Sequence, residues 1–140
     1  MTAAHIDPER AVFEAFKALP RDEPVEMLNL LRLHERAQYE DGREATGLEA
    51  YKAYGAQSGP VFERVGGRIV WRGRPQLVLI GPQDENWHLA FVARYPSAGA
   101  FLQMVTDPIY QSDAVPHRRA AVLDSRLIRT APQAGGSTFG

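Results

Sequence analysis

An α+β fold, with a four-stranded antiparallel sheet and its helices on one face, is the architecture this chain predicts. Three observations support it. Leaving aside a leading helix and a polar tail, the segments run strand, helix, strand, strand, helix, strand, the order of a ferredoxin-like βαββαβ unit. Residues 87–95 alternate as a strand should, with Trp87, Leu89, Phe91, Ala93 and Tyr95 on one face and His88, Ala90, Val92 and Arg94 on the other. Both faces are nevertheless rich in apolar residues, whereas an open sheet with one wet face alternates more cleanly. The second face therefore needs a cover. A second copy of the chain is the simplest one, so the pattern predicts a homodimer.

The elements follow in order. The leading helix is expected over 7–19, with Asp7 as its cap, Pro8 in the first turn and Val12, Phe13, Phe16 and Leu19 on one face. The apolar run Val25 to Leu33 is too short for a membrane span and the right length for a strand. A polar loop, 34–45, follows. Thr46-Gly47-Leu48-Glu49 reads as a capping box. The helix it starts carries Leu48, Tyr51, Tyr54, Ser58, Phe62 and Val65 at spacings of three and four, is expected to kink at Gly59-Pro60, and ends at Gly66-Gly67. Arg68 to Arg72 and Gln76 to Ile80 read as strand broken at Gly73-Arg74-Pro75. Ser97 caps a helix burying Phe101, Leu102 and Val105. A short helical turn with Tyr110 starts at Asp107-Pro108, His117-Arg118 is expected in the turn before the last strand, and that strand is 122–130. The segment 131–140, rich in Gly, Ser, Pro and Gln, is expected to be a disordered tail on a single domain of residues 1–130.

Composition excludes several classes. The formal net charge of −1 provides no basic field for nucleic acid or an anionic membrane surface. With 0 cysteines the chain has no disulfide, thiolate metal site or cysteine nucleophile, which fits a reducing cytoplasm. Residues 1–7 lack the pattern of a signal peptide. His5, His34, His88 and His117 show no metal-binding spacing, and neither a P-loop nor a Gly-x-Gly-x-x-Gly follows a strand. No metal and no cofactor is expected.

Asn29 is the residue that points inward from this frame. An amide in the middle of an apolar strand must find hydrogen-bond partners, since burying it unpaired costs about 1–3 kcal/mol. It is a structural hub or it faces a polar pocket.

Leu28-Asn29-Leu30-Leu31, Tyr51-Lys52-Ala53-Tyr54, Gly66-Gly67-Arg68, Tyr95-Pro96-Ser97, Pro108-Ile109-Tyr110-Gln111 and Pro116-His117-Arg118 occur in that order over roughly Glu26 to Arg129. In order and spacing the chain resembles the DUF1330 family, within the dimeric α+β barrel superfamily. That family usually reads Glu-Phe-Pro-Ser where this chain has Arg94-Tyr95-Pro96-Ser97, and usually lacks so substantial a leading helix. The resemblance implies a ferredoxin-like fold, a dimer and a ligand site between sheet and helices. On that basis His117 and Asn29 are the candidate catalytic groups, and Arg118, Tyr51, Trp71 and Arg94 the candidate substrate contacts. Arginine clamps a carboxylate or enolate oxygen bidentately, and histidine moves protons near neutral pH. The expected function is that of a cofactor-independent isomerase, lyase or monooxygenase acting on a small organic acid, lactone or phenol. The alternative is a non-catalytic dimer that binds a small organic anion or supports another protein.

Overall fold

The structure, a computed structural model, describes residues 4–139. Four strands, β1 (Val25–Leu33), β2 (Arg68–Gly73), β3 (Leu89–Tyr95) and β4 (Val122–Thr130), lie in the order β2-β3-β1-β4, and every neighbouring pair is antiparallel. Helices α1 (Arg10–Ala18), α2 (Gly47–Arg64), α3 (Ala98–Thr106) and α4 (Val115–Ala121) complete the chain, with a π-helical turn, Tyr110–Ala114, leading into α4. This is the ferredoxin-like βαββαβ order with an extra N-terminal helix.

Local chemistry explains the helix boundaries. Thr46 Oγ1 accepts from the amide of Glu49 and Glu49 Oε1 accepts from the amide of Thr46, a complete capping box. Gly47 lets α2 start against the polar loop, because a Cβ there would lie 1.9 Å from the His34 carbonyl oxygen. Pro60 sits inside α2 without ending it; Gly66, at φ +86, turns the chain out of the helix. Ser97 Oγ accepts from the Ala100 amide and caps α3.

Cross-strand partners share a face, so the register sorts the sheet into rows. The inner face carries Ile69, Ala93, Met27 and Arg129 in one row and Arg72, Phe91, Asn29 and Leu127 in the next. The core forms where this face meets the helices. Val25, Met27, Ala93 and Tyr95 pack with Val61, Phe101, Met104 and Tyr110, while Leu31 and Leu33 pack with Ala50, Ala120 and Val122. The Tyr95 ring meets Phe101 edge-on at 5.3 Å. The outer face carries Trp71, Val92, Leu28 and Ile128 in one row and Gly73, Ala90, Leu30 and Arg126 in the next. Arg68, Arg94, Glu26 and Thr130 border it.

Three expectations are corrected. The leading helix starts at Arg10 rather than Asp7, because the Asp7 carboxylate pairs with Arg119 at 3.2 Å instead of capping. The second half of the expected second strand, Gln76 to Ile80, is not a strand. A strand needs a ladder partner, and nothing among the described residues pairs with it. His117-Arg118 lies on α4 rather than in a turn, because Pro116 occupies the first helical turn, where its missing N–H costs nothing. Residues 131–139 form neither helix nor strand.

Candidate functional site

Between the inner face of the sheet, α2, the π-helical turn and α4 lies a cavity of about 1600 Å³, with α1 along its open side. Its floor is the row holding Asn29. The Asn29 amide donates to its own strand's Met27 carbonyl at 3.0 Å, and its Oδ1 makes no hydrogen bond among the described residues. The side chain is therefore neither fully consumed by backbone nor buried without partners.

Helical spacing puts Tyr51 and Tyr54 on the cavity side of α2, their rings 5.4 Å apart. The π-helical turn presents Tyr110, whose hydroxyl lies 2.8 Å from that of Tyr54. Burial pushes the Tyr51 phenol well up from its ordinary pKa, the Tyr54 ring adds to the effect, and Arg118 and Arg72 oppose it. Burial likewise raises Tyr95 and Tyr110. These hydroxyls are neutral hydrogen-bond donors at physiological pH, unable to act as bases.

Six arginines line the same space. Arg119 and Arg126 are paired with carboxylates and Arg10 lies on α1; the other three are Arg72 from β2, Arg118 from α4 and Arg129 from β4. Arg118 donates to the Ile6 carbonyl of the segment leading into α1. Arg129 donates to the Pro20 carbonyl at 2.6 Å and lies 4.8 Å over the Phe16 ring, while its Nη1 is buried without a partner. Among the described residues no carboxylate pairs with any of the three. The acidic residues of the cavity, Asp7, Glu9 and Glu14, lie in or just before α1, and of these Asp7 and Glu14 are paired with Arg119 and Lys17.

Of the residues singled out from sequence, Asn29, Tyr51 and Arg118 thus lie together, and His117, Trp71 and Arg94 lie elsewhere. Consecutive residues of a helix point about 100° apart, so with Arg118 on the cavity His117 turns away; its ring nitrogen is hydrogen-bonded to the Tyr39 hydroxyl of the 34–45 loop. A bulge between Ile69 and Trp71 shifts the register of β2 by one residue. Trp71 thereby joins Val92 on the outer face and Arg72 takes the inner position. Arg94 is also on the outer face, 3.5 Å from Glu26. Arg72 and Arg129 were missed by the sequence reading. Parity along the last strand, where Ser125, Leu127 and Arg129 alternate inward, was a usable signal for Arg129; the bulge left none for Arg72. Among the described residues no group of three or more His, Asp or Glu side chains is placed to hold a metal ion.

Comparisons with known proteins concern the fold and the family. A crystal structure of methylated RPA0582 protein superimposes with a TM-score of 0.92 at 57% identity, over 97% of this chain and 100% of that one. A second structure of RPA0582, a protein of unknown function from Rhodopseudomonas palustris, gives 0.90 at 56% identity over 95% and 100%. A dimeric protein of unknown function with a ferredoxin-like fold from Bacteroides fragilis is more distant, at 0.48 and 12% identity over 77% and 95%. Among curated proteins none matches. The model of a domain of unknown function, DUF1330, matches residues 43–131, and the chain belongs to that family.

Proposed function

We propose that the cavity binds a small organic acid, its anionic group held by arginine and its apolar or aromatic body against the floor around Phe91 and Leu127. The observation that carries this reading is the excess of guanidinium. Arg72, Arg118 and Arg129 share a largely apolar cavity with no carboxylate partner among the described residues. Arg72 is exposed, whereas Arg118 and Arg129 are partly buried, where an unpaired charge is costly, and a ligand carboxylate supplies the pair. Asn29 Oδ1 and the tyrosine hydroxyls then select among acids by hydrogen bonding to a second polar group. Proton-transfer enzymes need a group that titrates near neutral pH. His117 is turned away from the cavity, His5 stands at its edge with its backbone bonded to Asp124 and Ser125, and burial raises Tyr51, Tyr95 and Tyr110, so we favour binding ahead of isomerase, lyase or monooxygenase turnover.

Pairing of two copies through the outer face completes the proposal. Its support is the apolar row Trp71, Val92, Leu28 and Ile128, with Trp71 53% and Ile128 49% exposed in one chain.

Calorimetric titration with benzoate, phenylacetate and short alkyl carboxylates, each beside its neutral amide, tests the ligand class. The carboxylates are expected to bind at least ~10-fold more tightly than the amides, and less tightly at high salt. Equal affinity for acid and amide overturns the proposal.

A further inference from the structure

Residues 74–88, between β2 and β3, form an arm with an unusual distribution of exposure. Its root is tied down. The His88 amide donates to Leu31 O at 2.7 Å, and His88 Nδ1 accepts from the Leu33 amide at 2.9 Å. Glu85 pairs with Arg126 at 3.2 Å, and that guanidinium also lies 5.0 Å over the Trp87 ring. The tip is shaped by its own bonds, Gln83 Nε2 donating to Val78 O at 2.9 Å and the Glu85 amide to Pro82 O at 3.2 Å. Yet Leu77, Leu79 and Ile80 are 74%, 83% and 93% exposed. Three large aliphatic side chains on a segment anchored by hydrogen bonds form a patch that water does not stabilise.

We propose that this segment is a dimerisation arm: in the homodimer described above, on which this inference rests, Leu77, Leu79 and Ile80 of each chain close over the outer face of the other. Area is one argument. Four strands about 4.8 Å apart and about seven residues long at ~3.3 Å present a projected area of roughly 440 Å², and Leu77, Leu79 and Ile80 of the arm extend this apolar surface toward the ~800 Å² of accessible surface per partner that a stable interface buries. Continuity is the second. Arg126 belongs to the outer-face row of Leu30 and holds Glu85 and Trp87, so the root of the arm starts at the border of the apolar band. The third is self-complementarity. In a two-fold dimer each arm meets a copy of the face beside its own root, and the aliphatic tip matches the row of the partner's Trp71, the partner's Leu28 and the partner's Ile128. The strand-like run Gln76 to Ile80, which finds no ladder among the described residues of its own chain, then lies against a second chain.

Two measurements test this on the full chain. Sedimentation velocity compares the wild type with the triple variant Leu77→Asp/Leu79→Asp/Ile80→Asp, circular dichroism confirming that the variant is folded. The expected result is a wild-type dimer whose dissociation constant rises at least ~100-fold in the variant. Because the chain has 0 cysteines, Leu79→Cys on one chain and Ile128→Cys on another give a clean second readout. Mixing the two with a short bismaleimide is expected to yield covalent dimer faster than either alone. A variant that dimerises like the wild type, or a wild-type dimer whose mixed chains do not cross-link, overturns the arm while leaving the dimer standing. A wild type that is monomeric at tens of micromolar overturns both, whereas exclusive binding of the arm to a different protein overturns the arm alone.

Discussion

Asn29→Leu separates a binding amide from a structural one. Among the described residues Asn29 makes one side-chain hydrogen bond, to Met27 O, and lies between Phe91 and Leu127 on the inner face. Removing that bond costs about 0.5–1.5 kcal/mol. Leucine has nearly the same volume and puts apolar surface where the amide was; at half burial this returns roughly 1 kcal/mol. The net change in unfolding free energy is therefore expected within about 1 kcal/mol of zero, in either direction. Binding should respond differently, because Asn29 lines the cavity, its Oδ1 has no partner among the described residues, and leucine cannot accept a hydrogen bond. A loss of about 1–2 kcal/mol, roughly 5–30-fold in affinity, is expected for an acid carrying a second polar donor. Urea denaturation followed by circular dichroism gives the first quantity and calorimetric titration the second. Destabilisation above ~3 kcal/mol with unchanged affinity would show that Asn29 is a hub of the core, and the binding argument for it would fail.

Further expectations follow from the same geometry. Arg118→Ala should weaken carboxylate binding by about 1.5–3 kcal/mol, the range for a charge-assisted bond, and should lower thermal stability only slightly, through the lost bond to the Ile6 carbonyl; titration beside a thermal melt separates the two. Thr46→Ala removes one half of the capping box and strands the other, so a loss of about 0.5–2 kcal/mol is expected in urea denaturation, without effect on ligand affinity. Asp124 supplies a pH dependence. Burial tends to raise its carboxyl, but hydrogen bonds from the His5 and Ser125 amides and from Arg126 outweigh it and hold the group below the ordinary 3.8. A depressed folded-state value means that the stabilisation is complete above the unfolded value and disappears as pH falls through the folded one. The stability gap between wild type and Asp124→Asn should thus be constant above about pH 5 and close below about pH 4; a gap that widens on acidification contradicts this sign.

Periodicity, capping chemistry and apolar runs settled the element order of this protein, because each depends on residues a few positions apart. Val25–Leu33 as a strand, the Thr46 capping box, the Ser97 cap and the exit at Gly66 were all legible in that way. Asn29, Tyr51 and Arg118 could be singled out because a mid-strand amide, a helix face and a proline-braced arginine each limit what a side chain can do. Their meeting in one cavity was not legible, since it depends on how β1, α2 and α4 pack. Tertiary structure also decided which face a residue joins. One bulge in β2 exchanged the roles of Trp71 and Arg72, a slip that local sequence does not encode because the side-chain period of a strand is only two residues. Helix rotation separated His117 from Arg118. Gln76 to Ile80 has the composition of a strand, but a strand is defined by a partner, and none of the described residues pairs with it. The general reason is the same in each case. Local propensity reports what a segment can form, and only packing determines what it faces.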